Sequence, residues 1–171
     1  RAAAALPGLV GIKDSSGESA YFDRLLALRT EFPEFAVFMG PEEKLGAALK
    51  QGASGGVPGG ANLRPALYVD LYEAAVAGDT TRAESLHREI LRLSAALYTL
   101  GRHASSYLKG VKCALACMGI CDDFVAEPFR RFRAQQRSTG DAQVRTQGEK
   151  RLVDEKIFLL GADGGDHPVG L

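Results

Sequence analysis

The stretch Leu9-Val10-Gly11-Ile12-Lys13-Asp14-Ser15-Ser16-Gly17 decides how the rest of the chain is read. Apolar or small residues run straight into a lysine, and a polar loop closed by glycine follows at once. A short apolar run bounded by turn signals reads as a strand buried on both faces, as in parallel sheets. Side chains alternate along a strand, so Leu9, Gly11 and Lys13 share one face while Val10 and Ile12 share the other. Lys13 is therefore expected at the carboxyl end of a buried strand, beside a glycine that leaves room for a ligand. Burial favours the neutral amine, which is a nucleophile toward carbonyl carbon. The plainer alternative is that Lys13 ends the strand and reaches out to water. Neighbouring segments have to decide between the two.

Working outward, Glu18 to Glu31 carries apolar residues at 21, 22, 25, 26 and 28, the pattern of an amphipathic helix, with Ser16 or Ser19 placed to cap it. Pro33 ends that helix, and Phe35-Ala36-Val37-Phe38-Met39-Gly40 repeats the short apolar run that finishes on a turn residue. Pro41-Glu42-Glu43 then opens a second helix, since proline suits its first position and acids suit the positive end of its dipole. That helix stops at Gly52. The segment Gly55-Gly56-Val57-Pro58-Gly59-Gly60-Ala61-Asn62 allows close backbone approach, while Pro58 argues against a regular central strand.

Strand and helix alternate three times between residues 9 and 77, the rhythm of parallel β/α units. Such units build a (β/α)8 barrel or a doubly wound sheet. From Pro65 onward the pattern is helical, with helices expected at 65–77, 80–100, 105–118 and 122–136. Beyond these, a short helix is expected near 149–160, and the glycine-rich end reads as a mobile tail.

Composition narrows the function classes. With 171 residues, 46% hydrophobic and 25% charged, the chain is long enough for one domain with a sizeable core. Lys plus Arg equals Asp plus Glu at 21 each, so no net field favours nucleic acid or an anionic membrane. No apolar run approaches the ~20 residues that span a bilayer. The amino end has no signal-peptide pattern, lacks an initiator methionine and enters a strand almost at once, so the front of the chain is expected to be absent. Cys113, Cys117 and Cys121 lie four apart, with His103 upstream. They read as small apolar residues on a packed helical face rather than as metal ligands, in a reducing, cytoplasmic compartment.

Taken together, GLVGIKDSSG, FAVFMG, LKQGASGGVPGGAN followed by Pro65, and AGDTTRAESLH resemble the dihydrodipicolinate synthase and N-acetylneuraminate lyase family over about residues 6–132. The resemblance implies the carboxyl-terminal portion of a (β/α)8 TIM barrel, about three parallel strands with their helices, followed by appended α-helices. It implies strands six to eight within 1–64, a closing helix and helical extension at 65–136, and a divergent tail at 137–171. It further implies that Lys13 forms the imine with a 2-oxo acid, usually pyruvate, without any cofactor or metal. Gly40 and Val57 would line the pyruvate pocket, and Asp14 and Ser15 would contact the distal part of a substrate. Asp14, Ser15 and Ser16 read equally well as turn and cap residues. The Lys-Asp-Ser-Ser-Gly sequence leans toward branches that cleave 4-hydroxy-2-oxoglutarate or 2-keto-3-deoxy sugar acids, with dihydrodipicolinate synthase as the other type.

A whole barrel of this kind needs about 250 residues. The family's proton-relaying tyrosine and carboxylate-gripping loop belong to strands not present here, and Tyr21, Tyr68, Tyr72, Tyr98 and Tyr107 all fall in expected helices. The expectation is a lyase, homo-oligomeric as a dimer or tetramer in the full-length family, that is weak or inactive as this chain. The alternative is a silent fragment acting as an oligomerisation module through residues 80–132.

Overall fold

The computed structural model describes residues 1, 4–99, 105–135, 138, 139 and 142. Among them run β1 (Gly11–Asp14), α1 (Ser19–Ala27), β2 (Ala36–Met39), α2 (Leu45–Lys50), β3 (Gly55–Gly56), α3 (Pro65–Val76), α4 (Thr80–Tyr98) and α5 (Ser106–Cys117). The strands form one parallel sheet in the order β1-β2-β3, with Gly11 opposite Ala36, Lys13 opposite Phe38 and Phe38 opposite Gly55. Each strand is followed by a helical segment, as the alternating pattern requires.

Val37 and Met39 point to the helix side of β2 and are buried, together with Phe22 and Leu25 of α1, Leu45 and Ala48 of α2, Leu67 and Leu71 of α3, and Ile90 of α4. Burying each large side chain of that set contributes about 1.5–3 kcal/mol, so this one cluster fastens every helix up to α4 onto the sheet. A second cluster joins Leu63, Leu93, Leu97 and Ala114, and so seats α5 on α4 and on the loop before α3. Pro65 stands in the first turn of α3, and Asp79 caps α4 by accepting the Arg82 N–H at 3.0 Å.

Several expectations change. The first strand is not buried on both faces: Val10 is 78% exposed, Leu9 41%, and Lys13 is exposed too. The cause is position, because β1 is an edge strand whose only partner among the described residues is β2. The space beside Gly11 is already taken by Ala36, whose carbonyl oxygen lies 2.6 Å from where a Cβ on Gly11 would stand. Ser16 and Ser19 do not cap α1; the Ser16 hydroxyl instead accepts the Glu18 N–H at 3.1 Å, just before the helix begins. The helix expected to open at Pro41 begins as a 3-10 turn over Glu42–Lys44.

The helix expected at 122–136 is absent over Asp122–Arg133. There the Asp122 carboxylate accepts the Phe124 N–H at 2.8 Å, a local turn that competes with helix, and Pro128 removes a donor. That segment is held instead by the buried Val125 and Phe132 and by the Asp123–Arg131 ion pair at 3.2 Å. Of the three cysteines only Cys113 is on the packed face, Cys117 and Cys121 being exposed. The helix expected near 149–160 lies outside the described residues, as does the tail except for Ser138, Thr139 and Ala142. No helix among the described residues is long and apolar enough to cross a membrane.

Candidate active site

In a parallel β/α sheet the residues at the carboxyl ends of the strands converge, and ligands bind there. Lys13 stands next to last in β1, and its side chain runs across the neighbouring strand end. A Cβ placed on Gly40 would meet Lys13 Cε at 3.0 Å, Ser15 Oγ at 2.7 Å and the Asp14 carbonyl at 2.7 Å. Gly40 is therefore the one position that lets the lysine, the Ser15 hydroxyl and two backbones share a few ångströms. The Gly40 N–H donates to the Asp14 carbonyl at 2.7 Å and ties the two strand ends together.

Phe38 and Gly55 share the face of Lys13 through the strand register, and the Phe38 ring packs 3.3 Å from a notional Cβ on Gly55. Val57 follows two residues later, half exposed, with its N–H donating to the Met39 carbonyl at 2.9 Å. Lys13, Gly40, Ser15 and Val57 thus stand on the same end of the sheet.

Asp14 is turned away. It is 3% exposed, on the helix side of β1, and its Oδ1 accepts the Ser16 N–H at 2.8 Å. Its contact is the turn-making one, and its Oδ2 is buried without a partner. Strand alternation explains the split: adjacent residues face opposite sides, so Lys13 and Asp14 cannot both look into one pocket.

The structure also brings together residues that the sequence pattern left apart. Glu42 is 2% exposed, and its Oε2 accepts the Gly60 N–H at 2.9 Å and the Tyr68 hydroxyl at 2.5 Å. Tyr98 turns its hydroxyl toward the same carboxyl, yet this hydroxyl and Glu42 Oε1 are both buried without a hydrogen bond of normal geometry. Tyr107 packs edge to face on Tyr98 with centroids 4.6 Å apart and lays its own hydroxyl against the Gly59 backbone. Burial raises the Glu42 carboxyl above the ordinary carboxylate range, partly offset by the hydroxyls of Tyr68 and Tyr98 and the Gly60 N–H, with nearby Glu43 adding to the rise. Burial, then the Glu42 carboxyl, likewise raises the Tyr68 and Tyr98 hydroxyls. Only an acid in the turn after β2, a glycine-rich loop after β3 and tyrosines spaced along helices hinted at this cluster, and none of these signals is specific.

A cavity of about 230 Å³ lies elsewhere, between α2, α3 and α4, floored by Gly46, Ala47, Ala75 and Ala83 and edged by Lys50 and Glu84. It is separate from the strand ends that carry Lys13. Among the described residues no group of three or more His, Cys, Asp or Glu converges to hold a metal ion.

A parallel sheet in chain order, each strand leading to a helix and a lysine at one strand's carboxyl end, defines part of a (β/α)8 barrel. The chain belongs to the dihydrodipicolinate synthetase family, whose pattern matches residues 1–147. It is 33% identical over 133 residues to a 4-hydroxy-tetrahydrodipicolinate synthase of Nitrosomonas europaea, an alignment covering 77% of this chain and 43% of that protein. Dihydrodipicolinate synthase from Bacteroides thetaiotaomicron superposes with a TM-score of 0.78 at 42% identity, over 82% of this chain and 47% of that one. N-acetylneuraminate lyase from Fusobacterium nucleatum shares the fold alone, with a TM-score of 0.66 at 19% identity over 83% and 45%. The chain spans less than half the length of each of these relatives.

Proposed function

We propose that Lys13 is the imine-forming lysine of a lyase acting on pyruvate and related 2-oxo acids, and that this chain carries the lysine-bearing portion of that site. The observation that supports it is the passage of Lys13 Cε over Gly40 at the carboxyl end of the sheet, with Ser15 beside it and Val57 at the same end of the sheet. In its neutral form the Lys13 amine adds to the substrate's carbonyl carbon, and loss of water with uptake of one proton from solvent leaves a protonated imine. That imine draws electrons from the adjacent carbon–carbon bond, so the bond breaks or forms through an enamine. Gly40 and Val57 shape the place of the small acid. The Ser15 hydroxyl, which shares the space over Gly40 with the Lys13 side chain, would orient the distal oxygens of a 4-hydroxy-2-oxo acid or a 2-keto-3-deoxy sugar acid, or of a smaller partner in a synthase. Proton transfer by a positioned acid is worth 10²–10⁴-fold in such reactions. No such group stands beside Lys13 among the described residues, so this chain by itself is a slow catalyst.

The test is reduction of the chain with borohydride in the presence of pyruvate, followed by intact mass and peptide mapping. One reduced pyruvyl group on Lys13, absent in Lys13→Ala, is the expected result. A chain that gains no mass at saturating pyruvate sinks the reading. A second reading has its own observation. Leu108, Ile120, Phe124 and Phe129 of the helical extension expose between 39% and 58% of their surface, which favours association through residues 80–132. Sedimentation over a hundredfold concentration range decides it, and a monomer throughout rejects it.

A further inference from the structure

The imine chemistry leaves Glu42 without a task, although it is the most thoroughly enclosed acid near the strand ends. A carboxyl 2% exposed is costly to bury unless its oxygens are engaged. A leucine of similar size would pack among the same apolar neighbours without that cost. What a leucine could not do is accept the Gly60 N–H and the Tyr68 hydroxyl at once.

We propose that Glu42 is a positioning residue for the Lys13 site: through Gly60 it clamps the loop after β3 to the loop after β2, and through the Tyr68 hydroxyl it fastens both loops to α3. Gly40 and Val57 stand at the starts of those two loops, on opposite sides of the clamp. The loop after β2 is itself fastened along its length. Gly40 donates to Asp14, the Glu42 carbonyl contacts His87 Nε2 at 3.2 Å, Glu43 accepts from the Ser94 hydroxyl, and Lys44 donates to the Gly17 carbonyl and to Ser19 Oγ. The loop after β3 has fewer such ties, and among its side-chain contacts the Glu42 bond to Gly60 is the buried one. A Cβ at Gly60 would collide with both Tyr68 and Glu42 Oε2, so the loop's backbone enters the cluster itself. Tyr107 closes the far side against Gly59. The Val57 N–H bond to the Met39 carbonyl fixes where that wall starts, and the Glu42 carboxyl sets from the helix side how the rest of the loop, up to Gly60, lies beyond it.

This inference rests on the imine reading for its catalytic consequence, and the test separates the two. Glu42→Leu, Glu42→Gln and Tyr68→Phe are made in the whole chain. The first readout is amide exchange at Gly60 at a fixed pH. Loss of the buried acceptor speeds it roughly tenfold in Glu42→Leu, whereas Glu42→Gln, which keeps an acceptor oxygen, stays close to the parent. The second is the pyruvate concentration giving half-maximal borohydride trapping. It rises roughly threefold to tenfold in Glu42→Leu, with the maximal trapping rate changed less, and glutamine restores it. Tyr68→Phe keeps the acceptor and one apolar ring, so it reports in the same direction more weakly if the leucine variant does not fold. Unchanged Gly60 exchange and unchanged half-saturation in a folded Glu42→Leu overturn the proposal, as does glutamine behaving like leucine in both. If the parent chain traps no pyruvate, the imine reading falls, and Gly60 exchange alone decides whether Glu42 holds the loop.

Discussion

The two faces of the sheet are built to different degrees of completion. On the helix side, Val37, Met39 and Ile12 meet four helices, and even the buried acid of the next loop finds a backbone amide and a tyrosine. On the other side, Lys13, Phe38 and Gly55 form a row with no helix over it among the described residues, in which β1 also has no strand beyond it. The helix side gains its stability from segments close by in the chain. The lysine side carries the proposed nucleophile beside Gly40, and among the described residues nothing packs over it.

Removing a core contact gives the largest contrast between the faces. Leu71 is fully buried, and Leu71→Ala is expected to cost about 2–5 kcal/mol in denaturant unfolding, against less than about 0.5 kcal/mol for Val10→Thr on the open edge. Equal losses would mean that the open edge is covered in solution.

Gly40→Ala comes next. Its Cβ would stand 2.7 Å from the Asp14 carbonyl, a backbone atom that cannot step aside cheaply. A loss of about 1–3 kcal/mol is expected, with pyruvate trapping on Lys13 reduced at least tenfold. Unaltered trapping in a folded variant would remove Gly40 from the site.

Glu42 sharpens the comparison through pH. Its folded carboxyl titrates above its unfolded one, so the folded state holds the extra proton between the two values. The stability it contributes is full below the ordinary carboxylate range and is lost as pH rises through the raised folded value. Glu43 and the hydroxyls of Tyr68, Tyr98 and Tyr107 face it, and His87 touches its carbonyl, so the comparison has to be made variant against parent. Chemical unfolding across mildly acidic pH should show a falling stability in the parent and a flatter profile in Glu42→Gln. Parallel profiles would contradict a raised carboxyl.

The smallest effect on stability belongs to Lys13 itself. Because it is exposed, Lys13→Ala should shift unfolding by no more than about 0.5 kcal/mol while abolishing trapping altogether. A large loss of stability would mean that the amine is a structural partner.

What was legible in the sequence follows the same division. The alternation of short apolar runs with amphipathic stretches located β1, β2 and α1 through α5 because each is specified by neighbours a few residues away. The juxtaposition of Lys13 with Gly40 was legible as well, since both stand where an apolar run meets its turn. The exposure of Lys13 was not, because whether a strand is central or at an edge depends on what pairs with it, and an apolar run looks alike in either place. Asp14 could be read as pocket or as turn until the pleat turned it to the helix side. Residues 122–136 carried enough apolar spacing to suggest a helix, and the Asp122 turn with Pro128 prevailed over it. The Glu42 cluster was hidden because its members sit at 42, 60, 68, 98 and 107, each unremarkable alone.

The strand order bears on how this chain reaches its fold. Every strand pairs with the next one along the sequence, so each ladder closes over a single intervening helix, Gly11 with Ala36 and Phe38 with Gly55. Loop closures of that size are among the less costly ones a parallel sheet can require, and low sequence separation of contacts goes with fast folding. Each added unit finds its template already made by the one before. A segment organised in this way is expected to open first at its strand edge, with amide exchange faster along β1 than in α3 and α4.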